Sequence, residues 1–142
     1  DEIKIKAEQK GLSLEVLNFE TLPMALADRR RVLEILVNLV GNAIKFTSVG
    51  SIRILGSLEE KFIKVQVVDG GKGFSPLDKE KLFAKFGRLD NSLVTAAESG
   101  GTGLGLYISK ILTEKMGGQI GAASEGVGQG ATFWFTLPVA TI

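Results

Sequence analysis

The sequence predicts an α+β domain, a two-layer sandwich in which a mixed, mostly antiparallel sheet of about five strands carries three main helices on one face. Three observations support this. Several segments alternate apolar and polar residues with period two, as half-buried strands do. Two long segments carry a helical period instead. Strands and helices do not alternate one for one, as a doubly wound parallel sheet would require. The 142 residues are the length of one ordinary domain, and 44% of them are hydrophobic, enough for a core. No internal repeat or linker divides residues 1–142.

The elements follow in order. Residues 1–10 read as a short helix, or the end of a preceding one, closed by Gly11. Leu12 to Leu17 alternates and reads as a strand, and Pro23 to Ala27 as a short edge strand. Asp28 is a good N-cap for a long helix to about Phe46. Ser51 to Leu58 and Phe62 to Val68 read as paired strands around Glu59-Glu60-Lys61. Asp69 to Pro76 is a glycine-rich loop, Asp78 to Phe86 a short helix, and Gly87 to Thr102 a mobile loop. Gly103 to Met116 reads as a second long helix, stopped by Gly117-Gly118. Gln119 to Ser124 and Thr132 to Leu137 complete the strands, joined by a glycine-rich hairpin.

Composition removes whole classes of chemistry. There is no cysteine and no histidine. Disulfides, thiolate zinc sites, imidazole bases and Ser-His-Asp triads are therefore excluded within this chain. Lys and Arg number 17 against 16 Asp and Glu, so charge gives no reason to expect a nucleic acid partner. No apolar run is long enough to span a bilayer. The chain reads as a piece of a longer protein, a cytoplasmic domain whose parent is either soluble or membrane-anchored.

Chemistry concentrates in one helix and the glycines. On the Asp28–Phe46 helix, Val32, Leu33, Leu36, Val37, Val40 and Ile44 form an apolar stripe, and Glu34, Asn38, Asn42 and Lys45 line up opposite. Asparagine is a poor residue for a helix interior, but its amide oxygen is a hard ligand suited to Mg²⁺. Lys45 can meet a phosphate as a point charge. Glycine makes up 18 of the 142 residues, clustered at 70–73, 100–105, 117–121 and 126–130. Asp69 opens the first cluster directly after a strand, where a carboxylate can accept from an amino group such as that of adenine. The second, Gly100 to Gly105, runs into a helix, an arrangement that binds phosphates. It lacks the lysine of a P-loop and the βαβ setting of a dinucleotide fingerprint. The third reads as a hairpin, with Thr132 just after it able to face a base.

Four ordered boxes carry a resemblance over about residues 10 to 138. Asn38-Leu39-Val40-Gly41-Asn42-Ala43-Ile44-Lys45-Phe46-Thr47 resembles the N box of histidine protein kinases. Asp69-Gly70-Gly71-Lys72-Gly73-Phe74 resembles their first glycine box, and Leu82-Phe83-Ala84-Lys85-Phe86-Gly87-Arg88 their phenylalanine box. Gly101-Thr102-Gly103-Leu104-Gly105-Leu106 is similar to the second glycine box. Gly70 stands where the family usually has Asn, and Ala84-Lys85 replaces a common Glu-Pro.

The resemblance implies the Bergerat ATP-binding fold, with ATP and Mg²⁺ as ligands. It implies that Asn42 is the main metal ligand, with Asn38 nearby, and that Lys45 lies on the phosphates. Asp69 would read the adenine amino group, with Gly71 and Gly73 in its loop and Thr132 assisting. Phe46 would flank the base or ribose. Gly101, Thr102, Gly103, Leu104 and Gly105 would wrap the phosphates, and Arg88 would reach the γ-phosphate. The acceptor would be a histidine on the protein's own dimerisation domain, with a response regulator downstream. Such a fragment is expected to be monomeric. A degenerate nucleotide-binding signalling module and a serine kinase of the anti-sigma-factor type stay open as alternatives.

Overall fold

A computed structural model describes residues 2–19, 22–23, 25–76, 82–83 and 105–140. The elements are α1 (Glu2–Gln9), β1 (Ser13–Leu17), α2 (Arg29–Phe46), β2 (Ser51–Glu59), β3 (Phe62–Asp69), α3 (Gly105–Lys115), β4 (Ile120–Ala123) and β5 (Ala131–Pro138). The strands form one open sheet in the order β1-β2-β3-β5-β4. β1 runs parallel to β2, and every other pair is antiparallel. The parallel pair needs a crossover, which α2 supplies. The expected α+β architecture is therefore present.

Local chemistry sets the ends of these elements. The Asp28 side chain accepts from the N–H groups of Arg30 (2.9 Å) and Arg31 (3.4 Å), capping α2. The α3 terminus closes on Gly117 with φ 87°. Gly117 N donates to Glu114 O and Gly118 N to Thr113 O, the paired bonds that satisfy the last carbonyls of a helix. Glu60 turns the β2–β3 hairpin in the left-handed region, φ 56°.

The core lies between the sheet and the helices. Alternation in β3 buries Ile63, Val65, Val67 and Asp69, and in β5 Ala131, Phe133, Phe135 and Leu137. Ile35, Leu39, Val40 and Ile44 of α2 cover them.

Two expectations change. The described residues of Pro23 to Ala27 form no strand: they make a single bridge, Ala25 to Val139, beside a bond from Leu26 N to Pro138 O. The apolar stripe of α2 also sits differently. Leu33 and Val37 are about half exposed, at 53% and 49%, whereas Ile35, Leu39 and Ala43 are buried. The reason is that α2 packs on β2 and β3 and also on α3. Its buried sector is therefore swung toward α3, and Asn38 and Asn42 border that sector instead of standing opposite it. The short helix expected at Asp78 to Phe86 lies outside the described residues, apart from a turn at Leu82 and Phe83. The loop at Gly87 to Thr102 also lies outside them.

Candidate functional site

One helix meets both ends of the site. At Asn38, α2 touches the start of α3: the Asn38 Nδ2 donates to the Gly105 carbonyl at 3.2 Å and to Ser109 Oγ at 3.0 Å. Eight residues on, about 12 Å along the axis, α2 touches the first glycine loop. There Gly71 packs so closely on the Phe46 carbonyl that a Cβ at position 71 would collide with it. The Lys72 ammonium stands 4.9 Å from the centre of the Phe46 ring.

Between these contacts lies Asn42, half-buried, its side chain making no hydrogen bond to another described residue. Lys45 is exposed on the last turn. The Lys10 ammonium holds the end of this helix, donating to the carbonyls of Ile44 (2.6 Å) and Lys45 (3.0 Å). A cation there also complements the helix dipole. Among the described residues no group of three or more His, Cys, Asp and Glu side chains could hold a metal ion. From Asn38 to Phe46 the only side-chain oxygens that α2 offers are the carboxamides of Asn38 and Asn42, and Mg²⁺ takes few protein ligands of that kind.

Asp69 ends β3, flanked by Ile52 on one neighbouring strand and Ala131 on the other. That central position leaves it 8% exposed. Burial raises its pKa above the ordinary carboxylate value, and backbone hydrogen bonds from Gly71 and Ala131 pull the other way without cancelling the rise. The Gly71 N–H lies 2.8 Å from Oδ1.

The third glycine cluster is more than a hairpin. Gly128 N donates to Lys72 O (2.6 Å) and Gly130 N to Gly71 O (3.0 Å), lacing it to the first loop. Ser124 Oγ accepts from Phe74 N at 3.2 Å and donates to Gly130 O at 2.7 Å. Gly73 has φ 61°, and a Cβ there would come within 2.7 Å of both Gly130 O and Ser124 Oγ. Phe74 and Phe83 both lean on Phe133, with centroids 6.0 and 6.4 Å away.

Thr132 is not brought to this group. It pairs with Val68, so by alternation it lies on the opposite face of the sheet from Asp69, and Ala131 takes the place beside the carboxylate. Gly105 is the first residue of α3, while Arg88, Gly101, Thr102, Gly103 and Leu104 lie outside the described residues. Ser109, Ser124 and Lys10 are the participants that sequence reasoning missed. Serines 109 and 124 stand five or fewer residues from glycine clusters, the one signal that pointed to them.

This fold is that of histidine kinase catalytic domains. Residues 27–141 match the family described as histidine kinase-, DNA gyrase B-, and HSP90-like ATPase, and the chain belongs to that family. It is 44% identical over 137 residues to the sensor protein GacS of Pseudomonas syringae pv. syringae, covering 92% of this chain and 15% of that protein. It is 40% identical over 136 residues to the hybrid signal transduction histidine kinase B of Dictyostelium discoideum, 92% of this chain and 7% of that one. The chain thus spans a small part of these curated relatives. Among solved structures, full-length ShkA in complex with AMPPNP superimposes with a TM-score of 0.84 at 35% identity, over 99% of this chain and 28% of that one. The nucleotide-free catalytic domain of the histidine kinase ThkA gives 0.72 at 28% identity, over 99% and 91%. No helix among the described residues is long and apolar enough to cross a membrane.

Proposed function

We propose that this chain binds Mg-ATP and donates the γ-phosphate to a histidine on a separate dimerisation domain, in a two-component relay that ends at a response regulator. The observation that carries this is the double contact of α2, with α3 at Asn38 and with the Asp69 loop at Phe46. It sets amide oxygens and a lysine between a buried carboxylate and a helix N-terminus. Membership of the ATPase family and the likeness to ShkA, solved with AMPPNP, support the same reading.

Each residue then has a task. Asp69 accepts from the adenine amino group, held in place by the Gly71 N–H. Phe46 flanks the base or ribose. The N–H groups in the first turn of α3, with Gly101, Thr102, Gly103, Leu104 and Gly105, receive phosphate oxygens. Lys45 and Arg88 offset phosphate charge. The amide oxygen of Asn42, with Asn38 nearby, would hold Mg²⁺, which supplies charge neutralisation on the phosphates when bound. An amide at position 38 cannot take a proton from water, which favours transfer over hydrolysis.

The metal assignment is tested with Asn42→Ala, by calorimetry of ADP with and without Mg²⁺. The parent should bind more tightly with the metal, and the variant should lose at least tenfold of that gain while keeping its fold. A variant that binds Mg-ADP as the parent does would sink the assignment.

A further inference from the structure

Ser109 has no task in the function above, yet it is a fully buried polar side chain. It lies one turn into α3, four residues past Gly105. Its hydroxyl donates to the Gly105 carbonyl at 2.9 Å and accepts from the Asn38 Nδ2 at 3.0 Å. The same nitrogen donates to the Gly105 carbonyl at 3.2 Å.

A carboxamide has two ends of similar shape and opposite character. The oxygen can ligate a cation, whereas the NH₂ repels one. The partners of Asn38 decide which end goes where. The Gly105 carbonyl can only accept. The Ser109 hydroxyl has committed its one proton to that carbonyl, so it too can only accept from Asn38. Both select the nitrogen, which leaves Oδ1 without a donor among the described residues.

We propose that Ser109 is a positioning residue, fixing the Asn38 carboxamide so that its oxygen is the end offered to a bound metal-nucleotide. The hydroxyl ties that orientation to the first turn of the helix that follows the second glycine cluster. Without it a single acceptor remains, and the amide is freer to invert. This inference rests on the reading of Asn38 and Asn42 as the metal-side residues.

The test compares the parent, Ser109→Ala and Ser109→Thr. One readout is the Asn38 side-chain amide pair in ¹⁵N NMR spectra of the metal-free protein. The other is the ratio of ADP affinities with and without Mg²⁺. Ser109→Ala should move the amide pair toward free-amide positions and reduce the Mg²⁺ gain about fivefold, as loss of one net hydrogen bond implies. Its metal-free ADP affinity should stay at the parent value. Ser109→Thr keeps the hydroxyl and should keep the gain. If the alanine variant does not fold, Ser109→Cys, a weaker acceptor of similar size, should show the same reduced ratio. An unchanged ratio, or an equal loss with and without metal, overturns the inference. The two failures are told apart by the parent: no Mg²⁺ gain in the parent removes the metal reading itself, whereas a gain that survives in Ser109→Ala removes only the role of Ser109.

Discussion

Asp69, proposed here to bind adenine, shows what such a role costs its own fold. Its carboxylate is buried at the end of a central strand, and burial outweighs the two N–H groups that stabilise the charge. The folded state therefore holds the Asp69 proton more tightly than the unfolded chain does. The resulting stabilisation is complete below the unfolded value, about 3.9, and is lost as pH rises through the raised folded value. At neutral pH the ionised carboxylate opposes folding. Asp69→Asn keeps an acceptor for the Gly71 N–H and removes the charge. We expect this variant to melt above the parent at pH 7, with the gap closing as pH falls toward 4, measured by thermal unfolding across that range. We expect the same variant to bind ADP more weakly, because an amide in place of the carboxylate presents a weaker acceptor to the adenine amino group. A variant that melts below the parent at pH 7 would contradict this account.

The first glycine loop is an element whose neighbouring glycines differ in kind. At Gly73 a left-handed backbone and three close polar atoms leave no place for a side chain. At Gly70 φ is ordinary and nothing lies within 4 Å of a Cβ. We expect Gly73→Ala to cost more than about 2 kcal/mol, left-handed strain adding to a clash with the 124–130 segment. Gly70→Ala should be neutral or stabilising by about 0.5 kcal/mol, through the unfolded chain. Denaturant midpoints measure both. From sequence the two positions look alike, because the difference lies in what the distant 124–130 segment brings against them. The same limit explains the other departures. The Asp28 cap and the Gly117-Gly118 stop were legible because caps act within one turn. The α2 stripe was misplaced because a period shows that a face is buried but not that two different layers share it. That Ala131 and not Thr132 stands beside Asp69 was not legible, because strand alternation is visible in sequence but register with β3 is not. Ser109 was passed over because a serine in a helix declares nothing until Asn38, 71 residues away, arrives beside it.

At the scale of the whole molecule, the chain contains the groups proposed to hold a nucleotide but no imidazole to receive a phosphate. We expect incubation of this 142-residue chain with γ-labelled ATP to leave no acid-labile, base-stable label on it. Adding a separate histidine-bearing dimerisation domain of a sensor histidine kinase should place the label there. Label of that kind on the chain alone would contradict the division of labour proposed here. The lacing of Gly71 and Lys72 to Gly130 and Gly128 has a last implication. Those bonds run between main-chain atoms, so they are indifferent to the side chains of Lys72 and Gln129. Substitution at these two positions can therefore alter the charge and bulk around the first glycine loop while the frame beneath keeps its shape. The proposed site can thus be retuned in affinity without being rebuilt.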